Sequence, residues 1–247
     1  MDATFRSCPR PYRQCFTILG NHHGFVLPLV HVLMEHRTIG HDRQVLQAVK
    51  VAIRRVTHHN WRPQLVVYNF ENSLKTALET DFPQAMVGGC YFHFNQSLWR
   101  KIQELRLAVP YNQDCTLAQV ICKLMTLGYL PLALVQVNFK TLVNGRRCRR
   151  LVRHYAAMEE FITYVTNTYI HPGSTFPPVM WNVLERDMDQ RTNNHVKYVC
   201  EPCSSCLLCC YWCPWPSQSS SQWLASSSWA CLCTRTPGTL GKASLSL

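Results

Sequence analysis

The order of the secondary-structure signals predicts an α/β fold built on a mixed sheet. Three observations predict it: short β-rich runs open the chain, a buried strand with a helix and a return strand follows, and the pattern is helical only from about residue 116 to 170. Residues 2–7, 14–19 and Phe25–Met34 are the opening runs. Cys8-Pro9-Arg10-Pro11 and Gly20-Asn21-His22-His23-Gly24 separate them, which predicts an antiparallel meander. Over residues 42–57, Val45, Leu46, Val49, Ala52, Ile53 and Val56 fall at helical spacing. Arg43, Gln47, Lys50, Arg54 and Arg55 are left mostly to the other side, so this is an amphipathic helix with a basic outer face. After Arg62-Pro63, residues 64–68 are unbroken in apolar character, as expected of a strand covered on both faces. A helix around Leu74, Ala77 and Leu78 and a return strand at 85–92 complete a βαβ unit. Phe94, Leu98, Ile102 and Leu105 mark the next helix, with Asn95 as its cap. Residues 117–127, 131–142 and 150–169 are the later helices, Pro131 sitting in a first turn. A loop over 171–178 follows, and Arg191-Thr192-Asn193-Asn194 suits the opening of one more helix.

Composition narrows the function classes. The chain has 247 residues, 47% hydrophobic and 16% charged, a globular balance that can bury a sizeable core. It holds no apolar run of about 18 residues and no apolar stretch after Met1, so neither a membrane span nor a secretory route is expected. The net charge is +11, of which residues 1–199 carry +10, and a basic body of this kind suits a polyanion such as nucleic acid. Six of the fourteen cysteines (Cys8, Cys15, Cys90, Cys115, Cys122, Cys148) are scattered through residues 1–199 and read as reduced thiols, mostly in the core. The other eight crowd residues 200–247, a low-complexity Cys/Ser/Trp-rich tail expected to lack a packed fold.

Four strings then recur in a fixed order. They are Asp2-Ala3-Thr4-Phe5-Arg6-Ser7-Cys8-Pro9; Phe82-Pro83 with Gly89-Cys90-Tyr91-Phe92-His93-Phe94 and Trp99-Arg100-Lys101; Trp181-Asn182; and Arg191-Thr192-Asn193-Asn194. Together they resemble the transposase domain of Mutator-like elements, the MULE family, over about residues 2–196. The resemblance implies an RNase H-like core spanning residues 1–199, with an all-helical insertion over about 112–178 ahead of the last core helix. It also implies metal-dependent cleavage and strand transfer of double-stranded DNA in the nucleus. Three acidic residues would hold Mg²⁺ or Mn²⁺, because a two-metal site must stabilise both the attacking and the leaving oxygens and hard cations want carboxylate oxygen.

Carried over to this sequence, the first acid falls on Asp2. The second falls on Asn69 in Asn69-Phe70-Glu71, where the family has Asp-Phe-Glu, and the third falls on Lys197. An amide and a cation replace two of three ligands, so the expectation is a degenerate core without catalysis that retains DNA binding. Glu71, two positions from Asn69, would need a backbone shift to substitute, and Glu185, Asp187 and Asp189 lie on the wrong side of the Arg191 string. A family Cys-x-x-His matches Cys90 and His93, placing them beside the catalytic centre at a strand end. The residues alone equally describe a packed thiol and a hydrogen-bonded imidazole.

Outside those strings, Arg146, Arg147, Arg149, Arg150 and Arg153 put five arginines into nine residues. They are the best local candidate for DNA-backbone contact, a solvated loop being the alternative. His31, His36 and His41, spaced by fives, converge neither on a strand nor on a helix. In the tail, Cys203, Cys206, Cys209 and Cys213 match a ferredoxin-like iron–sulfur spacing, and a tail that binds such a cluster or zinc is an alternative function. A compositional switch after Val196 fits a chain read out of its ancestral frame, and the start at Met1-Asp2 fits a shortened first strand. A domesticated DNA-binding protein without chemistry is the remaining alternative, and self-association into a homo-oligomer is a further expectation.

Overall fold

The computed structural model of the chain describes residues 1–4, 8–22, 25–187 and 190–191, with backbone alone at 2–4 and 22. Its opening meander consists of β1 (Asp2–Thr4), β2 (Gln14–His22) and β3 (Phe25–Met34), antiparallel in the order β1-β2-β3, with Asp2 opposite Thr17 and Gln14 opposite Met34. Contrary to the punctuation expected at Gly20-Asn21-His22, β2 runs through these residues. Gly20 serves close approach instead of a turn: a Cβ there would lie 2.5 Å from Leu29 Cδ1 on β3. On β3, Phe25, Leu27, Leu29 and Leu33 alternate outward and are exposed, and the strand holds no Asp, Glu, Lys or Arg.

Thr38 opens α1 (Ile39–Thr57) by accepting from the His41 N–H, and His58 in the left-handed region ends it. Leu46 and Val49 are buried as the period requires, whereas Ala52 and Val56 are exposed. The βαβ unit follows as β4 (Leu65–Tyr68), α2 (Asn72–Asp81) and β5 (Met86–Gly89), the strands parallel with Leu65 opposite Met86. Helices α1 and α2 are fastened at Asp81, whose carboxylate accepts from Arg43 Nε at 3.1 Å, from Lys50 Nζ at 3.3 Å and from Gln47. Among the described residues the strands form two ladders, not one continuous mixed sheet. The Met1 amine joins them by donating to the Val67 carbonyl at 2.6 Å.

The return strand stops at Gly89, short of the expected 92, and Cys90 caps α3 (Tyr91–Glu104). Asn95 is therefore not a cap. It is buried one turn inside α3 and donates to the Tyr91 carbonyl at 3.2 Å. Tyr91, Phe94, Leu98 and Ile102 explain the change, since their spacing buries one helical face.

The helical half comprises α4 (Ala108–Gln113), α5 (Cys115–Met125), a 3₁₀ turn (Thr126–Tyr129), α6 (Leu132–Asn144), α7 (Arg146–His154), α8 (Ala157–Val165), a π-helical turn (Thr166–Ile170) and α9 (Pro178–Trp181). Pro131 is the N-cap of α6, one place before the first turn. The single helix expected over 150–169 is broken at Tyr155, whose extended backbone ends α7. Its hydroxyl donates to Asp114 Oδ2 at 3.3 Å, while Asp114 Oδ1 accepts from the Thr116 and Leu117 N–H groups and caps α5.

Aromatic packing ties the halves together. Trp181 stacks on Phe94 at 4.5 Å and donates Nε1–H to the Tyr169 and Phe176 carbonyls. The scattered thiols divide: Cys90 and Cys148 are buried, Cys8 and Cys15 half-buried, and Cys115 and Cys122 exposed, which corrects the expectation that most are core residues. No helix among the described residues is long and apolar enough to cross a membrane.

Candidate functional site

At the C-terminal end of β4 the chain turns through Asn69-Phe70-Glu71. Phe70 has φ of 62°, a left-handed backbone that costs a bulky residue about 1–3 kcal/mol. Its ring is held edge-on against Tyr169 and Phe176 and covers Gly89, leaving no room for a Cβ there. Asn69, at the expected second acid position, has its Oδ1 buried without a hydrogen-bond partner among the described residues. Glu71 is not beside it in function: it opens α2, accepts from Arg37 Nε at 2.7 Å and lies 3.4 Å from Ser73 Oγ. Asp2, the expected first acid, is placed by backbone only. It follows Met1, whose amine reaches Val67, so Asp2 and Asn69 both lie within two residues of the bond that joins the ladders. Lys197 and Thr192-Asn193-Asn194 lie outside the described residues, as do Asp189 and the whole cysteine tail.

The neighbouring end of β5 holds Cys90 and His93. Cys90 directly follows β5 and donates its N–H to the Tyr68 carbonyl at 2.8 Å, and His93 lies in the first turn of α3, so the pair sits where the strand end passes into a helix start. Between β5 and α9 lies a residue that sequence reading missed. Arg186 is buried, donates Nη1–H to the Gly89 carbonyl at 2.8 Å and Nη2–H to the Met180 carbonyl at 2.6 Å, and rests where a Cβ on Gly88 would come within 2.6 Å of Nη2. It has no carboxylate partner among the described residues. Burial lowers its pKa, and only the nearby Cys90 thiol acts in the opposite direction. The paired glycines of β5 were the sequence signal that something large packs there. Glu185 and Asp187, which flank Arg186 in the sequence, are exposed.

On the side of α1 that meets α2, Asp42 is buried and its Oδ2 has no hydrogen-bond partner among the described residues. Burial raises its pKa; Ser73, Arg37 and His41 pull downward and Glu71 pushes further up. Among the described residues no three His, Cys, Asp or Glu side chains are grouped so as to hold a metal ion.

The five arginines lie on α7, not in a loop. Cys148 and Leu151 are buried, while Arg146, Arg147, Arg149, Arg150 and Arg153 are all exposed. At about 100° per residue, Arg146, Arg149, Arg150 and Arg153 share one face of the helix. None has a carboxylate partner among the described residues, and Arg147 reaches Gln119 Oε1 at 3.5 Å. Burial raises the Cys148 thiol pKa, as expected of a residue that anchors the helix by packing.

Residues 1–97 match the family model of the MULE transposase domain. No curated protein and no solved structure matches the chain.

Proposed function

From the MULE transposase domain matched over residues 1–97, we propose that this chain is a degenerate, RNase H-like transposase core that binds double-stranded DNA without cutting it. The observation that carries DNA binding is α7, where exposed arginines without carboxylate partners form a one-sided cationic face suited to phosphate oxygens. Loss of chemistry rests on the donor set. Mg²⁺ or Mn²⁺ would need carboxylates at the end of β4, but Asn69 offers a neutral amide and Glu71 is engaged by Arg37. The Arg186 guanidinium donates to the carbonyl of Gly89, the strand partner of Tyr68 next to Asn69, and so adds positive charge near the end of β4. The residues therefore do not fit a two-metal site. The nucleus, where duplex DNA resides, would be the place of action.

The test is fluorescence anisotropy of the full chain with a labelled duplex across a salt series. Replacing Arg146, Arg149, Arg150 and Arg153 with Gln is expected to weaken binding strongly and to flatten the log K against log salt plot by about 0.9 for each phosphate that the variant leaves unneutralised. Unchanged affinity and slope would remove α7 from the interface. Mn²⁺-dependent nicking by the unaltered chain, absent from a purified blank, would sink the non-cutting reading.

A further inference from the structure

At the opposite end of β4 and β5 from Asn69, a cleft of about 580 Å³ opens between the last turns of α1 and α2 and the segment leading into β4. Its floor is apolar: Trp61 meets Phe82 edge to face at 4.9 Å, flanked by Pro63 and Pro83. Lys50 crosses the Phe82 ring at 4.3 Å and donates to the Asp81 carbonyl at 2.7 Å, so it is committed to the protein. Arg54 and Arg62 line the same cleft, are exposed, and have no carboxylate partner among the described residues.

The balance of charge decides what the cleft attracts. Asp81 is offset by Arg43 and Lys50. The C-terminal ends of α1 and α2 both face the cleft, and each contributes about half a negative charge. Arg54 and Arg62 exceed that sum by about one unit, so the cleft favours an anion. A bare phosphate would use the guanidiniums and leave the aromatic floor uncovered. A rigid duplex would meet the rim without placing a base inside. A nucleotide in a single strand satisfies both parts, with a π face for the floor, a base edge for the amides of Asn60, Gln64 and Gln84, and phosphates for the arginines.

We propose that this cleft binds one nucleotide of single-stranded nucleic acid, its base against Trp61 and its flanking phosphates on Arg54 and Arg62. This goes beyond the duplex-binding reading, because it uses neither α7 nor the end of β4 that holds Asn69.

The experiment titrates the full chain with an oligothymidylate of about twelve nucleotides, following anisotropy and tryptophan emission. The double variant R54A/R62A, with both changes at exposed positions, should bind the oligothymidylate at least about tenfold more weakly. Its salt slope should fall by about 1.4, the value for two phosphates on a single strand. The α7 quadruple variant should keep oligothymidylate binding while losing duplex binding, so the two readings fail separately. Trp61→Phe should remove most of the emission change caused by the oligonucleotide. Unchanged oligothymidylate affinity and slope in R54A/R62A would overturn the proposal. So would emission quenching that persists in Trp61→Phe, or displacement of the oligothymidylate by equimolar inorganic pyrophosphate, since that would show a site for phosphate alone.

Discussion

At Asp42 a carboxylate is buried with one oxygen unpartnered among the described residues, and its pKa is raised because burial outweighs the help of Ser73 and Arg37. The folded state therefore binds a proton more readily than the unfolded chain, whose Asp titrates near pH 3.9 (about the model-peptide value). The contribution of Asp42 to stability falls as pH rises from that value through the raised pKa, and the cost is fully present above it. Asp42→Asn is expected to raise Tm at neutral pH and to change it little in acid. Thermal melts at the two pH values check this, and an equal shift at both would refute it. Little of this was legible in the sequence. Asp42 reads as a helix-opening acid, and only the packing of α1 on α2 turns that position inward. That Asn69 carries a neutral amide was legible; that its Oδ1 is buried was not. Arg186 was not legible either, because its burial depends on Gly88, far away in the chain.

Among the elements, β5 and α7 show how period and side-chain size decide structure. The apolar run over 85–92 reads as one strand, yet Gly88 and Gly89 end it and the aromatic residues beyond them adopt the helical period of α3. A strand this short works because its two glycines admit Arg186 beside Gly88 and the Phe70 ring beside Gly89. Gly89→Ala should destabilise the chain by about 1–3 kcal/mol, the usual cost of overpacking, because the ring it meets is held by Tyr169 and Phe176. Urea unfolding monitored by circular dichroism would report it, and a loss below about 0.5 kcal/mol would mean the ring yields freely. In α7 the dense arginines hide the period, and only Cys148 and Leu151, three apart, disclose a buried side. The meander and the βαβ order were legible because strand punctuation and alternation are local properties.

Across the described residues, an aromatic junction holds the helical half to α3 and to the turn after β4. Trp181 is fully buried, stacked on Phe94 and hydrogen-bonded to carbonyls at Tyr169 and Phe176. Trp181→Ala should cost about 3–5 kcal/mol and loosen both halves together in urea unfolding. Two separate transitions, with the strand half unshifted, would contradict that junction. Sequence periodicity hides it, since prolines around 172–178 mask the short α9 that carries Trp181. A last consequence attaches to β3. Among the described residues β3 is the last strand of its ladder; its outward face carries exposed Phe25, Leu27, Leu29 and Leu33, and the strand has no Asp, Glu, Lys or Arg, the kind of edge strand that other sheet proteins shield. A net charge of +11 makes copies of the chain repel one another. A polyanion that cancels this charge removes the repulsion while leaving β3 uncovered, so the duplex proposed for α7 would act on the chain as a coagulant.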